Sequence, residues 1–242
     1  MKKVVFITGG SSGLGLGLAQ KFVSQGYDVM VGARRALFGD IASVVCDVRD
    51  KESVRAAVLA CVEKFGRIDI AIANAGVSSP SPADQLDSQT VEESFQTNVM
   101  GAVYLFEAVL PDMLARGDGQ LVSIASLAGY RGLPGAGAYC GSKAALMALT
   151  ESFRIDLRKS GVAVSVINPG FIKTPMTDRN QYSMPFLLTL DDGVTRIFKA
   201  IILRKKLYSF PFRLAIIVRI GRLLPAWLYD ALIGHRKNIK QV

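Results

Sequence analysis

The sequence predicts an α/β fold in which one doubly wound parallel sheet carries helices on both of its faces. Short, β-branched apolar runs alternate along the chain with stretches of helical periodicity, and this alternation is typical of parallel strands that are buried on both sides. A chain of 242 residues permits one domain or two small ones. Half of its residues are hydrophobic, which is enough for one large core, so we expect a single domain over residues 1–242.

The individual elements follow from these runs in chain order. Apolar runs predict strands at residues 3–8, 28–32, 43–46, 68–73, 119–124 and 163–168. Helical periodicity predicts helices at residues 14–25, 53–64, 91–115, 139–160 and 212–224, and Pro225 begins a last helix that runs to about residue 233. Few residues separate Arg35 from the third strand, so we expect the crossover helix there to be vestigial or absent.

The net charge of +9 comes from one segment of the chain. Residues 195–242 contain eleven Lys and Arg against a single acid, Asp230, for a net charge of +10, whereas the remaining 18 basic and 19 acidic residues sum to −1. Aromatic residues do not alternate with the basic ones in the stacking pattern of nucleic-acid sites. The sequence therefore predicts no nucleic-acid partner.

The cysteine and histidine content predicts no metal site. Cys46, Cys61 and Cys140 lack a metal-like spacing, and the single histidine, His235, cannot complete a histidine-based zinc site. Such cysteine usage fits a reducing, cytoplasmic setting. The N-terminus runs straight into an apolar strand followed by glycines, so no signal peptide is predicted.

A glycine-rich turn from Thr8 to Gly15 joins the first strand to the first helix. At this position the free N–H groups of a helix N-terminus can bind the pyrophosphate of a dinucleotide, and glycine lets the backbone approach it closely. The plain alternative is a tight strand-to-helix turn. The residues predicted to bind the pyrophosphate are Gly9, Ser11, Ser12, Gly13, Leu14 and Gly15.

The second strand is followed by two arginines, Arg34 and Arg35, with no acid beside them. Dinucleotide folds that prefer NAD usually carry an acid here for the ribose 2′-hydroxyl, whereas arginine suits the 2′-phosphate of NADP. The pair therefore predicts NADP(H) as the cofactor. The alternative is that both arginines are simply solvated on a loop.

Seven short motifs follow one another in a set order. They are TGGSSGLG at residues 8–15, CDV at 46–48, ANAG at 73–76, Asn98, Ser126, YCGSK at 139–143 and NPGFIKTP at 168–175. With these motifs the chain resembles the short-chain dehydrogenase/reductase family in its compact, single-domain form, which has a Rossmann-type sheet. The short stretch after Arg35 and the C-terminal segment depart from the family pattern, which leaves the substrate unassigned.

The resemblance implies further contacts to the cofactor. Asp47 would contact the adenine ring with Val48 beside it, and the turn after the fourth strand would line the cofactor channel through Asn74, Ala75 and Gly76. The Pro-Gly turn would bound the nicotinamide pocket, and its implied contacts are Pro169, Gly170, Ile172 and Thr174.

Reducing a carbonyl with NADPH requires a hydride source, a proton donor and a group that steadies the developing alkoxide. Tyr139 is the predicted donor, because Lys143, four residues later on one helix face, can lower the tyrosine pKa from its usual value near 10. By resemblance, Lys143 also holds the nicotinamide ribose and Asn98 holds a water that relays protons to the lysine. Ser126, just after an apolar strand, is placed to hydrogen-bond the substrate oxygen.

Each of these residues also has an ordinary explanation. A Tyr-x-x-x-Lys spacing is common on helices, Ser126 could cap a turn and Asn98 could satisfy a helix kink. Cys140 is interpreted as a packed small side chain rather than a nucleophile, because no histidine base lies near it in the sequence. A second hypothesis is a non-catalytic NADP(H)-binding sensor or scaffold of the same fold, and the complete catalytic set argues against it.

Residues 175–242 are predicted to form a substrate lid and basic, apolar C-terminal helices. The lid, residues 175–190, carries Met176, Met184 and Phe186, which suits an apolar carbonyl or alcohol substrate; the alternative is simple core packing. The C-terminal helices lack the run of about 18 apolar residues that spans a bilayer. They could instead meet an anionic membrane surface, another subunit or the substrate cleft. By resemblance, we expect a homodimer or homotetramer that forms through the long helices.

Overall fold

The structure, a computed structural model, describes residues 2–35, 39–178, 180 and 183–234. Its strands are β1 (Val4–Thr8), β2 (Asp28–Ala33), β3 (Ala42–Val45), β4 (Ile70–Ala73), β5 (Gly119–Ile124), β6 (Val162–Pro169) and β7 (Leu207–Phe210). They form one sheet in the order β3-β2-β1-β4-β5-β6-β7, and every neighbouring pair is parallel. The predicted doubly wound α/β fold is confirmed.

Helices cover both faces of the sheet. They are α1 (Gly13–Ser24), α2 (Lys51–Phe65), α3 (Ser88–Phe95), α4 (Gly101–Arg116), α5 (Gly137–Asp156), α6 (Leu190–Ile202), α7 (Phe212–Leu223) and α8 (Ala226–Gly234). Helices α1 and α6 share one hydrophobic cluster with the sheet, and α2, α4 and α5 share another. Each face is therefore closed to water by a helical layer.

Strand β1 shows why both layers are needed. Val5 and Ile7 belong to the α1 and α6 cluster, whereas Val4 and Phe6 belong to the opposite one, and none of the four is more than 1% exposed. Burying one such side chain contributes about 1.5–3 kcal/mol. Because successive side chains point to opposite faces, a strand that is apolar at every position is stable only between two layers.

The helix predicted at residues 91–115 is interrupted, which corrects the sequence analysis. Helix α3 is followed by a π-helical turn, Gln96–Met100, before α4 continues to Arg116. A π turn adds a residue to the helical ladder and changes the direction of its side chains. Asn98 lies in this turn, is 1% exposed and bonds the loop after β4 and helix α5.

Taken together, α3, the π turn and α4 run without a gap from Ser88 to Arg116. Among the described helices, this stretch alone has the length and hydropathy that would allow it to cross a membrane. Length and composition alone are weak indications of a span, because core helices share them. Leu105, Phe106 and Val109 of this stretch are buried in the core.

Other boundaries confirm or correct the predicted elements. No helix forms in the described residues between β2 and β3, namely 34–35 and 39–41, as expected; residues 36–38 lie outside the described ones. Helix α6 and strand β7 were not predicted, although both fall within the segment 175–242. The predicted helix at 139–160 instead runs from Gly137 to Asp156 and ends in a 3₁₀ turn, Leu157–Lys159.

The parallel arrangement brings the carboxyl ends of all strands to one edge. Strand β1 lies between β2 and β4, so the chain direction around the sheet reverses beside β1. In open α/β sheets, ligands bind in the crevice at such a switch point. The glycine turn after β1 and the segments after β4, β5 and β6 all meet there.

Candidate active site

The glycine turn after β1 is too tightly packed for side chains. Gly9 has a φ of +68°, and a Cβ at this position would lie 2.7 Å from the Cα of Ala75. A Cβ on Gly15 would overlap the carbonyl oxygen of Gly9. Gly13, which begins α1, also has a positive φ of +52°. The backbone of the turn is thus presented directly to the crevice.

The N-terminus of α1 is suited to an anion. Ser12 precedes the helix with an extended backbone and makes no side-chain cap, and the first turn contains no acid. The first N–H groups of a helix lack intrahelical acceptors and carry a partial positive charge. Ser11 and Ser12 are exposed beside them, while Leu14 packs against the core. These features fit a pyrophosphate.

Thr8 and Asn74 fix the turn to the neighbouring strand. The Asn74 side-chain amide donates to the carbonyl oxygens of Thr8 and Gly9 at 3.0 and 3.2 Å. In return, the Thr8 hydroxyl accepts from the N–H groups of Asn74 and Ala75 at 3.2 and 3.3 Å. Asn74 and Ala75 therefore hold the shape of the glycine turn. Thr8 was not predicted as a site residue, although it opens the TGGSSGLG motif.

The outer end of the crevice carries a concentration of cationic side chains. Arg34 and Arg35 directly follow β2 and are exposed. Asp47, just after β3, accepts from Arg49 Nε and Nη2 at 3.0 and 2.7 Å, and this hydrogen-bonded ion pair lowers the pKa of Asp47, with Arg34 adding a smaller effect. Val48 is buried against the backbone of α4 at Gly101. Asp47, the predicted adenine contact, is thus already paired with Arg49.

Lys143 is buried in the middle of the crevice on α5. The side chain is 4% exposed, and its Nζ donates to the carbonyl oxygen of Ile124, at the end of β5, at 2.9 Å. Burial lowers the pKa of the lysine to about 8, so the ammonium remains mostly protonated at neutral pH. An ammonium has three protons to donate. The single acceptor found among the described residues leaves capacity for the hydroxyl groups of a ligand.

Asn98 faces Lys143 across Gly76. Its Oδ1 accepts from the N–H of Val77 at 2.8 Å, and its Nδ2 donates to the carbonyl of Val77 and to Ser142 Oγ at 3.0 and 2.9 Å. A Cβ on Gly76 would lie 3.1 Å from Asn98 Oδ1 and 3.4 Å from Lys143 Nζ. The π turn therefore fixes the loop after β4 and borders the lysine. Ser142, which was missed, directly precedes Lys143 in the YCGSK motif.

Tyr139 precedes Lys143 on α5, and Ser126 follows Ile124, whose carbonyl accepts from Lys143. Tyr139 is half-buried one helical turn before Lys143, whose Nζ lies 5.8 Å from the centre of the phenol ring. Ser126 follows β5, and its hydroxyl accepts from the N–H of Ala128 at 3.1 Å, so it does cap the 3₁₀ turn Leu127–Tyr130. The fold thus gathers Asn98, Ser126, Tyr139 and Lys143 from three separate segments.

The turn after β6 closes the inner side of the crevice. Pro169 ends β6, and the N–H of Gly170 donates to the carbonyl of Phe210 at 2.7 Å. Ile172 is 3% exposed and packs on α6. The Cβ of Thr174 lies 3.5 Å from the position that a Cβ on Gly13 would occupy. The segment therefore returns to the N-terminus of α1.

The cysteines are buried and free. Burial raises the pKa of the Cys46 thiol to about 11 and that of Cys61 to about 12, and it also raises the pKa of Cys140. Thiols with raised pKa values are poor nucleophiles. No group of metal-ligating side chains exists among the described residues, and His235 lies outside them.

Helix α7 packs beside the loop that follows Ser126. Leu214 and Ala215 of α7 pack against Leu127, and Leu214 also approaches Gly170. Arg131 donates to the carbonyl oxygens of Gly221 and Leu224 and lies 3.8 Å from the ring centre of Tyr229. Nothing in the sequence pattern indicated this contact. The loop that follows Ser126 is thereby fastened to α7 and α8.

The predicted lid, residues 175–190, leaves the crevice edge after Thr174. Met176, Phe186 and Leu187 are exposed at 41–43%. Leu188 returns to the protein, where its N–H donates to the carbonyl of Phe171 at 3.0 Å. Residues 179, 181 and 182 lie outside the described part.

Comparisons with known proteins identify the family of the chain. The family model for short chain dehydrogenases matches residues 3–184. An uncharacterized oxidoreductase of Myxococcus xanthus is 38% identical over 241 residues, covering 95% of each chain.

Solved structures share the fold. ElxO with NADP bound has a TM-score of 0.79 and 27% identity, over 86% of this chain and 97% of that one. A 3-ketoacyl-(acyl-carrier-protein) reductase from Brucella melitensis, complexed with NADH, has a TM-score of 0.78 and 25% identity, over 86% and 95%. With a family model that covers most of the chain, this protein belongs to the short-chain dehydrogenase family of NAD(P)-binding oxidoreductases, which act on the alcohol or carbonyl groups of small molecules.

Proposed function

We propose that the protein reduces an apolar ketone or aldehyde to an alcohol with NADPH, and that Tyr139 donates the proton. The observation that carries this proposal is the convergence of Tyr139, the buried Lys143 ammonium and Asn98 beside the glycine turn. When bound, NADPH supplies the hydride.

Lys143 has two roles in this proposal. Its positive charge, one helical turn from Tyr139, favours the phenolate that remains after the proton has been given up. Its free donor capacity suits the hydroxyl groups of the nicotinamide ribose. Asn98 positions the lysine side of the site through Val77 and Ser142, and relays protons through a water.

Ser126 binds the substrate oxygen. Its Oγ accepts the Ala128 N–H, so its own proton remains available for donation. Together with the Tyr139 hydroxyl it stabilises the developing alkoxide, and removing one such donor typically costs about a hundredfold in rate or more.

The preference for NADPH rests on Arg34 and Arg35. Both are exposed at the end of β2, where a 2′-phosphate would meet two positive charges. The structural similarity to ElxO with NADP bound supports this choice. Asp47, which is paired with Arg49, and Val48 would bound the adenine. The pyrophosphate would be bound by Gly9, Ser11, Ser12, Gly13, Leu14 and Gly15. The nicotinamide pocket would be bounded by Pro169, Gly170, Ile172 and Thr174.

The apolar character of the substrate follows from the walls of the site. Leu127, Phe171 and Leu214 pack in one apolar cluster that includes the residue after Ser126, and the segment 175–190 adds the exposed Met176 and Phe186. We propose that the segment 175–242 supplies this lid and wall, within one domain of residues 1–242. An apolar lid binds an apolar substrate by burying surface and excluding water.

We further propose a cytoplasmic homodimer or homotetramer. The three buried, free cysteines suit a reducing compartment. Exposed Phe95, Leu114 and Ile155 lie on the long helices α3, α4 and α5, and pairing of these helices would bury them.

A comparison of the wild type with Tyr139→Phe tests the catalytic proposal. NADPH consumption is followed at 340 nm with aldehydes and ketones of increasing apolar size, and NADPH binding is followed by its fluorescence. We expect turnover of apolar carbonyls by the wild type, and a loss of about a hundredfold or more in the variant with NADPH affinity unchanged. NADPH binding without turnover in the wild type would instead support the sensor or scaffold hypothesis. Equal turnover by both proteins would remove Tyr139 from the mechanism.

A further inference from the structure

The outer side of helix α7 and the start of α8 carry an exposed apolar surface, which we call the outer face. It consists of Phe212, Ile216, Ile220 and Leu223 of α7, and we include with them the exposed Trp227, which follows on α8. Phe212, Leu223 and Trp227 are 74%, 84% and 72% exposed. Side chains of this size seldom remain so open to water in a group unless they meet a partner.

The outer face is separate from the side of α7 that packs on the protein. Phe212, Ile216, Ile220 and Leu223 follow a spacing of four, four and three residues, which keeps them on one side of a helix. The inner side carries Leu214 and Ala215, which pack against Leu127. The fold of the catalytic site therefore uses the inner side and leaves the outer face without a described partner.

The charge around the outer face is positive. Arg213, Arg219 and Arg222 lie on α7 itself and are exposed, and Asp230 is the single acid of residues 195–242, whose net charge is +10. A helix with aromatic and aliphatic side chains on one side and arginines beside them is typical of helices that lie in the interface of an anionic membrane. Tryptophan is enriched at this depth because its ring is apolar while its N–H can stay hydrated.

We propose that the outer face docks on the surface of an anionic lipid bilayer. A symmetric contact between two copies through this face would bring the exposed Arg213, Arg219 and Arg222 of one copy towards those of the other, which like-charge repulsion opposes. An anionic bilayer satisfies both features at once, because it accepts the apolar side chains and attracts the arginines. Arg131, which fastens α7 and α8 to the loop after Ser126, keeps the docked face in a fixed relation to the site.

Docking also deepens the proposed function, on which this step alone rests. Since α7 packs beside the loop that follows Ser126, docking of α7 would bring the proposed substrate side of the site close to the lipid headgroups. Carbonyl compounds dissolved in the bilayer would then be its substrates. Membrane binding itself depends on neither NADPH nor turnover.

The single tryptophan of the chain, Trp227, lies on the outer face and provides a direct probe. The full-length protein is mixed at low salt with vesicles of phosphatidylcholine alone, or with 30% phosphatidylglycerol, and Trp emission and vesicle flotation are measured. We expect a blue shift and flotation only with the anionic vesicles, both weakening as salt is added. Arg213→Gln and Arg222→Gln should each lower vesicle affinity about fivefold.

Two matched leucine variants distinguish docking through the outer face from nonspecific hydrophobic adsorption. Leu223→Ser should lower vesicle affinity about tenfold or more, whereas Leu86→Ser, at a leucine that is 72% exposed far along the chain in the segment before α3, should leave it unchanged. The absence of both signals with anionic vesicles would overturn the proposal. A blue shift that grows with protein concentration in the absence of vesicles would also overturn it, in favour of a second copy on the same face. Carbonyl turnover without vesicle binding would refute the docking proposal alone. Vesicle binding without turnover would refute the proposed function alone.

Discussion

Replacing Lys143 by methionine should make the ligand-free protein more stable while removing its activity. The ammonium is buried and has one described acceptor, the carbonyl of Ile124. Its environment disfavours the charge that the proposed reaction needs. Residues held ready for a ligand often lower the stability of the empty protein in this way.

The magnitude follows from the pKa of the lysine. Burial lowers it from 10.5 to about 8, and at about 1.4 kcal/mol per pKa unit this destabilises the folded state by about 3 kcal/mol at pH 7. The variant loses the hydrogen bond to Ile124, which offsets about 1–2 kcal/mol of the gain. We therefore expect Lys143→Met to raise the free energy of unfolding by about 1–2 kcal/mol at pH 7.

The difference in the free energy of unfolding between the two proteins should depend on pH. Below about pH 8 the lysine is protonated in both states and the full penalty applies, whereas near pH 10.5 it is neutral in the folded state and the penalty disappears. The advantage of the variant should therefore shrink as pH rises between these values. Cys46 and Cys61 titrate at higher pH in both proteins, so their effects cancel in the difference.

Urea unfolding of the ligand-free wild type and variant, at several pH values from 7 to 10, measures this difference. NADPH should then stabilise the wild type more than the variant, because the variant cannot hold the ribose. A variant that is less stable than the wild type at pH 7, or a difference that does not change with pH, would refute the reasoning about the buried charge.

Three further predictions concern the cofactor end and the support of the site. Replacing Arg34 and Arg35 together by alanine should weaken NADPH binding about tenfold and leave NADH binding unchanged, as measured by fluorescence titration, because only NADPH carries the 2′-phosphate. Gly9→Ala should lower the free energy of unfolding by about 2 kcal/mol or more and impair NADPH binding, because its Cβ would collide with the β4 turn. The control Gly26→Ala, also at positive φ but with open space around its Cβ, should cost about 1 kcal/mol in the same denaturation assay. Ser142→Ala should lower the free energy of unfolding in urea by about 1–3 kcal/mol, because one N–H of the buried Asn98 amide loses its acceptor. An unchanged urea midpoint would contradict the contact between Asn98 and Ser142.

The sequence was sufficient for six of the seven strands because most of them are apolar at nearly every position. Runs such as Val4–Thr8 can be stable only between two helical layers, so the pattern determines both the element and its surroundings. The sequence also predicted a vestigial or absent crossover helix after Arg35, since too few residues precede the third strand. The order of the motifs then indicated which residues meet at the carboxyl edge.

Other features depend on contacts that local patterns do not contain. Strand β7 has a single fully buried residue, Phe210, and is held by pairing with β6, so it carries no strong periodicity. The π turn at Asn98 interrupts a stretch whose apolar spacing is that of one helix. The contacts of Arg131 with α7 join residues about 90 positions apart, and a lone arginine in a loop gives no sign of its acceptors.

The most direct test of the account is a comparison of kcat/KM for NADPH and for NADH with one apolar aldehyde, using the purified wild-type protein. We predict turnover with both cofactors and a preference for NADPH of about tenfold, the value of the charge-assisted contacts to a 2′-phosphate. A preference for NADH would contradict the role given to Arg34 and Arg35. Tight NADPH binding with no turnover of any apolar carbonyl would contradict the central claim that this site reduces one.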